Sequence, residues 1–150
     1  MKKYLGVKLI EADVITRGEY NIFRGWTIPE NENPADEGYL VKYSDDYVSW
    51  SPKKVFEKAY MPLGDPSGTR IVEDDVNNFV VNSNISKFGD KTTVVHATLR
   101  NGFIITEASS CVDTINFDMK IGEEICLGKI KDKVWGLLGF LLQCGKSGVK

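Results

Sequence analysis

Arg100, Phe103, His96 and Glu107 are the residues of this chain whose types and spacing come nearest to a chemistry. They flank Asn101-Gly102, the dipeptide best suited to a two-residue hairpin turn. With those two residues as the turn, Arg100 faces Phe103, Thr98 faces Ile105 and His96 faces Glu107. Alternation then gives an apolar face of Val95, Ala97, Leu99, Ile104, Thr106 and Ala108. The other face carries His96, Thr98, Arg100, Phe103, Ile105 and Glu107. A guanidinium beside a phenyl ring permits cation–π stacking. Such a face offers a flat, charged ligand a ring to stack on and a cation for its phosphate. The plainer reading of these residues is a solvated sheet face, each cross-strand pair contributing about 0.2–1 kcal/mol.

A second set of polar groups follows the hairpin. Ser109, Ser110 and Asn116 stand in a loop rich in short hydrogen-bonding side chains, Ser109 to Asp118. Asn116 and Asp118 are N-cap candidates for the helix beyond, and Glu123 and Glu124 near its start suit the macrodipole. A helix start facing hydroxyls can hold an anion, but the early acids argue for capping instead. The helix is expected over 119–143, with Leu127, Ile130, Val134, Leu137, Leu138 and Leu141 on one wide apolar stripe. That stripe exceeds what a hairpin needs to cover, and it predicts self-association through the helix into a dimer or higher homo-oligomer. Lys129, Lys133 and Trp135 add two cations and a ring near the stripe. Gly128, Gly136 and Gly139 each cost about 0.8–1 kcal/mol relative to Ala in a helix interior, so either the helix bends or another backbone comes close.

These elements set the fold expectation: α+β, antiparallel hairpins packed on a long C-terminal helix, with a small N-terminal α+β module. In that module residues 4–15 read as a strand and Thr16 as the cap of a short helix over 17–23. The Pro- and Asn-rich stretch 28–38 reads as a loop, and 38–50 as a second, weaker hairpin around Ser44-Asp45-Asp46. Ser51-Pro52 reads as an N-cap followed by a first-turn proline. The helix after it, over 52–60, turns Val55, Phe56 and Ala59 to one face. The expected division is a module over 1–62, a Pro/Gly linker over 63–70 and a hairpin-plus-helix domain over 71–150. Within the last, 73–81 reads as a short helix and 82–91 as a turn region around Gly89-Asp90.

Composition narrows the function classes. The 150 residues carry a net charge of −2, with 19 basic residues scattered among 21 acidic ones. No basic stripe suggests a long nucleic acid as partner. Met1-Lys2-Lys3 leads into no apolar run of a signal peptide, and no stretch reaches membrane-spanning length. The expectation is a soluble cytoplasmic protein. Three widely spaced cysteines and one histidine suit neither a disulfide framework nor a zinc site. A hydrolase built on His96, Glu107 or Asp113 lacks any assignable nucleophile, metal or oxyanion site. No catalytic residue and no cofactor is therefore assigned.

The C-terminal segment resembles a small phage protein family named after proteins of phages N4 and Sf6. The resemblance rests on Thr92-Thr93-Val94-Val95, Leu99-Arg100-Asn101-Gly102-Phe103, Ser110-Cys111-Val112-Asp113, Asn116-Phe117-Asp118, Ile121-Gly122, and Trp135 with Leu138-Gly139-Phe140-Leu141-Leu142-Gln143. The N-terminal runs Thr16-Arg17-Gly18-Glu19-Tyr20, Arg24-Gly25-Trp26, Glu37-Gly38-Tyr39-Leu40-Val41 and Ser49-Trp50-Ser51-Pro52 resemble a module of many small phage proteins. In architecture the segment is also similar to the phage sponge proteins that defeat the Thoeris anti-phage system. Those are strand-then-helix oligomers that sequester cyclic ADP-ribose isomers, and some of them cyclic oligonucleotides, without cleaving them. That resemblance implies a phage anti-defence protein holding a cyclic nucleotide immune signal in the cytoplasm of an infected bacterium. Chemistry then suggests the contacts. Phe103 and Trp135 stack on the base, and Arg100, Lys129 and Lys133 meet phosphates. Thr98, Ser109, Ser110 and Asn116 meet ribose hydroxyls, and His96 lies beside them. The alternative is a phage protein that binds a host protein through Tyr20, Trp26, Tyr39, Tyr43, Tyr47 and Trp50 of the N-terminal module, since aromatics are enriched in interfaces.

Overall fold

The computed structural model describes all 150 residues. They divide into two compact units, one holding residues 1–62 with 145–150 and the other residues 63–144. The last six residues thus group with the N-terminal unit, and residues 63–70 with the second.

The first unit is a three-stranded antiparallel sheet, in the order β1-β2-β3, with two short helices. Strand β1 is Glu11–Thr16, β2 Glu37–Lys42 and β3 Val48–Pro52. The strand expected over 4–15 begins only at Glu11, because its one partner, β2, ends at Lys42, the residue opposite Glu11. Helix α1, Arg17–Phe23, starts where Thr16 predicts. The Thr16 hydroxyl accepts from Glu19 N–H at 3.2 Å, and the Glu19 carboxylate accepts from Thr16 N–H at 2.8 Å. This reciprocal capping satisfies two donors that the helix itself leaves unpaired. Helix α2, Lys53–Ala59, starts one residue later than expected, because Ser51 and Pro52 are still paired in β3. Pro52 is its cap, and no side chain caps it. Val55 is exposed and only Phe56 of the expected apolar face is half-buried, stacked between Tyr39 and Tyr60 at centroid distances of 4.0 and 4.9 Å. Tyr20 and Val41 form the buried centre. Arg17 lies over the Trp50 ring at 4.9 Å and donates to Glu32 at 2.7 Å, which ties the loop before β2 to α1.

The second unit places a three-stranded sheet, β4-β5-β6, on the longest helix. Helix α3 is Glu73–Phe79, and buried Asp75 holds its start. The carboxylate of Asp75 accepts from Val72 N–H at 2.9 Å and from Gly64 N–H at 2.8 Å. Strand β4 is Val80–Phe88, β5 Thr92–Leu99 and β6 Ile104–Ser110. The segment 82–91, read as a turn, is therefore mostly strand. Asn82, Ser83, Asn84 and Ser86 have poor strand propensity, and pairing with β5 overrides it. Only Gly89, at φ +66°, and its neighbours form the turn.

Helix α4 runs Met119–Ser147. Asp118 caps it, accepting from Lys120 N–H at 2.9 Å, while Asn116 belongs to a 3-10 turn before it. The buried face of α4 is Gly122, Cys126, Ile130, Val134 and Leu138, one residue per turn at a stride of four, with Cys144 buried beyond them. It meets Val95, Ala97, Leu99 and Ile105 of the sheet in the core. Leu137 and Leu141, expected within the apolar stripe, are 43% and 39% exposed. The stripe that the chain's own core covers is narrower than predicted, and Leu137 and Leu141 lie outside it.

Candidate functional site

The β5–β6 connection decides which side chains share a surface. Leu99 N–H donates to Phe103 O at 2.7 Å, Gly102 N–H donates to Leu99 O at 2.9 Å, and Gly102 adopts φ +85°. The loop is therefore the three residues Arg100, Asn101 and Gly102, with the last in the left-handed region that glycine tolerates. The register follows: Thr98 faces Ile104, Ala97 faces Ile105, His96 faces Thr106 and Val95 faces Glu107. This is a slip of one residue from the two-residue turn, and it reverses both faces of β6. Ile105 is buried against α4, whereas Ile104, Thr106 and Ala108 point away from the core. Glu107, placed by sequence beside His96, is instead on the helix side, where it pairs with Lys133. That hydrogen bond holds the Glu107 carboxyl below the usual glutamate range, with the Lys133 and Lys129 charges acting in the same direction.

Strand β6 is an edge of its sheet, and a groove runs between that edge and α4. Phe103, Ile104, Ile105 and Thr106 make one wall, Lys133, Gly136 and Leu137 the other, around about 510 Å³. The volume falls in the range of small-molecule sites. The groove is mostly apolar. Phe103 and Ile104 are 56% and 49% exposed, and Lys133 is the cation in its lining. Gly136 keeps the helix wall low, with nothing near the position a Cβ would take. Further along the edge, Lys129 donates to Ala108 O at 3.0 Å, covering one backbone acceptor that no neighbouring strand pairs.

Of the residues singled out by sequence, the structure brings Phe103 and Lys133 together and disperses the others. Thr98 and His96 lie on the outer sheet face, where His96 Nδ1 bonds Thr106 Oγ1 at 3.1 Å. Arg100 is exposed in the loop and has no ring beneath it; its backbone N–H bonds Phe79 O at 2.8 Å. Ser109 is half-buried on the inner face, and the Ser110 hydroxyl bonds that of Thr92 at 2.8 Å. Asn116 is exposed in its 3-10 turn, Lys129 is engaged with Ala108, and Trp135 lies on the far side of α4 from the buried stripe. Sequence reasoning missed Ile104, Thr106 and Leu137 as lining residues because it assigned each to a core face. Gly136 did carry a signal, as a costly helix glycine with no packing reason inside the chain.

A second concavity, in the first unit, is lined by Lys8, Leu9, Tyr43, Ser44, Asp45, Tyr47 and Gly145. Lys8 sits 5.0 Å above the Tyr43 ring there. No three His, Cys, Asp or Glu side chains converge anywhere in the chain. No helix is long and apolar enough to cross a membrane. Cys126 donates to Thr93 O at 3.7 Å, and burial pushes its thiol up, which keeps it protonated.

The sequence profile of the Phage protein (N4 Gp49/phage Sf6 gene 66) family matches residues 71–145, half of the chain. No curated protein and no solved structure matches it. The chain belongs to that phage protein family, and the matched half contains β4, β5, β6 and nearly all of α4.

Proposed function

We propose, from the similarity in architecture to phage sponge proteins, that this phage-family protein binds and sequesters a cyclic nucleotide immune signal in the cytoplasm of an infected bacterium, without cleaving it. The observation that carries this reading is the pairing of Phe103 and Lys133 in one groove of about 510 Å³. A base stacks on the Phe103 ring, and the phosphate takes a charge-assisted bond from Lys133. Glu107 already shares that ammonium, so the ligand must bring enough negative charge to compete. This favours a doubly charged cyclic nucleotide over a neutral ligand. The similarity to Thoeris sponge proteins points to cyclic ADP-ribose isomers, with cyclic di- and trinucleotides as the next class. Arg100, Trp135 and His96 have no place in this version of the site.

Titration calorimetry of the protein with each ligand tests the proposal. Micromolar or tighter binding is expected, with the nucleotide recovered intact afterwards. Phe103→Ala should cost about 1–3 kcal/mol of binding, the scale of one base–aromatic stack. Lys133→Ala should cost about 1.5–3 kcal/mol, the scale of a hydrogen bond to a charged group. Absence of heat with every ligand sinks the proposal, and a hydrolysed nucleotide replaces it with an enzyme.

A second reading, binding of a host protein by the N-terminal unit, is favoured by one observation. Phe23, Trp26 and Tyr47 are 58%, 51% and 63% exposed rather than packed in the unit's own core. Recovery from infected cells of one host protein bound directly to this unit would support it.

A further inference from the structure

The face of α4 turned away from the sheet has a pattern of its own. Ile125, Gly128, Asp132, Trp135, Gly139 and Leu142 follow one another at alternating steps of three and four. This is the spacing of the a and d positions of a coiled-coil seam, here with three apolar side chains, two glycines and one carboxylate. The seam is distinct from the buried stripe, which advances by fours through Ile130 and Val134. Five of its six residues are exposed, and only Leu142 is half-buried. Ile125 and Trp135 are 45% and 39% exposed, and a Cβ built on Gly128 or Gly139 meets no atom within 4 Å. The helix thus keeps two unfavourable glycines where no intramolecular neighbour needs their smallness.

Read backwards, the seam matches itself. Turning a second α4 end for end and setting Asp132 against Trp135 places Gly128 against Gly139 and Ile125 against Leu142. Small residues then meet small, apolar meets apolar, and the Trp135 indole N–H points at a carboxylate. Neither the Asp132 carboxylate nor the Trp135 indole N–H has a hydrogen-bond partner within the chain. A parallel pair in register fails on the same residues, because it sets Asp132 against Asp132 and aligns the two helix dipoles. The paired glycines let the two backbones approach closely at both ends of the contact.

We infer that two copies of this chain pair through the outer face of α4, antiparallel, with Asp132 of each against Trp135 of the other. The inference is independent of what the β6–α4 groove holds. The test uses the whole protein with no ligand, so its failure leaves the nucleotide reading untouched. Sedimentation of the wild-type chain at tens of micromolar should give twice the 16.8 kDa of one copy; a monomer overturns the inference. The register is tested by cross-linking in a background carrying Cys111→Ser, Cys126→Ala and Cys144→Ala, with folding verified by circular dichroism. Gly128→Cys and Gly139→Cys variants, mixed and oxidised, should form a disulfide-linked heterodimer that neither forms with itself. Self-cross-linking of either variant alone means a parallel pair, and no cross-link in the mixture means another surface. Either result overturns the register. Should that background fail to fold, Asp132→Arg in the wild-type chain serves in its place. It is expected to shift the sedimenting species to the monomer, and an unchanged mass overturns the inference.

Discussion

Glu107 and Lys133 form the one ion pair that joins the sheet to α4, and its lysine lines the groove. The lysine's hydrogen bond lowers the carboxyl's pKa in the folded chain relative to the unfolded one. The pair therefore stabilises the fold fully above the ordinary glutamate range. That contribution fades as pH falls through the lower, folded value. Glu107→Gln should narrow the gap in urea midpoint between pH 7 and pH 3, with most of the difference from wild type appearing at the upper end. Equal midpoint differences at both pH values would mean that the pair contributes nothing. The same variant frees the Lys133 ammonium, so nucleotide affinity should rise while stability at neutral pH falls.

The packing of α4 on β5 turns on one close approach, at the start of the helix. A methyl on Gly122 would lie 2.2 Å from Thr93 Oγ1 and 2.6 Å from Thr93 Cβ, and Thr93 is 1% exposed on the inner sheet face. Gly122→Ala gains about 1 kcal/mol of helix preference but overpacks a site with little room to relax, at a cost of about 1–3 kcal/mol. Net destabilisation is expected as a lower urea midpoint, and a rise would show that Thr93 moves aside freely. Elements of this unit were legible in the sequence wherever local chemistry decides. Asp118 before the apolar run marked the start of α4, and Gly89-Asp90 marked a turn. The register of β6 was not legible. Asn101-Gly102 suits a two-residue turn by composition, yet Arg100 joins the loop, because Ile105 rather than Ile104 fills the space under α4. That slip moved Glu107 from His96 to Lys133 and dissolved the expected clustering of Arg100, Thr98 and His96 with Phe103. Strand β4 was hidden for a related reason, since its Asn and Ser residues gain their pairing only from β5. In the first unit, Thr16 and Glu19 announced α1 because both halves of that cap are local.

At the scale of the whole molecule, the two units are interleaved along the chain. Residues 145–150 belong with residues 1–62, and Leu9 N–H donates to Gly145 O at 3.0 Å. Truncation after Cys144 should remove that bond, with faster hydrogen exchange at Leu9 and its neighbours while the amides of β5 keep their protection. Unchanged exchange at Leu9 would show that the contact is incidental. The bond also bears on the timing of assembly. Domains generally fold in the order in which they are synthesised, but here an early residue must wait for a very late one. Leu9 leaves the ribosome long before Gly145 does, so everything between Leu63 and Cys144 can mature while Leu9 still lacks its acceptor.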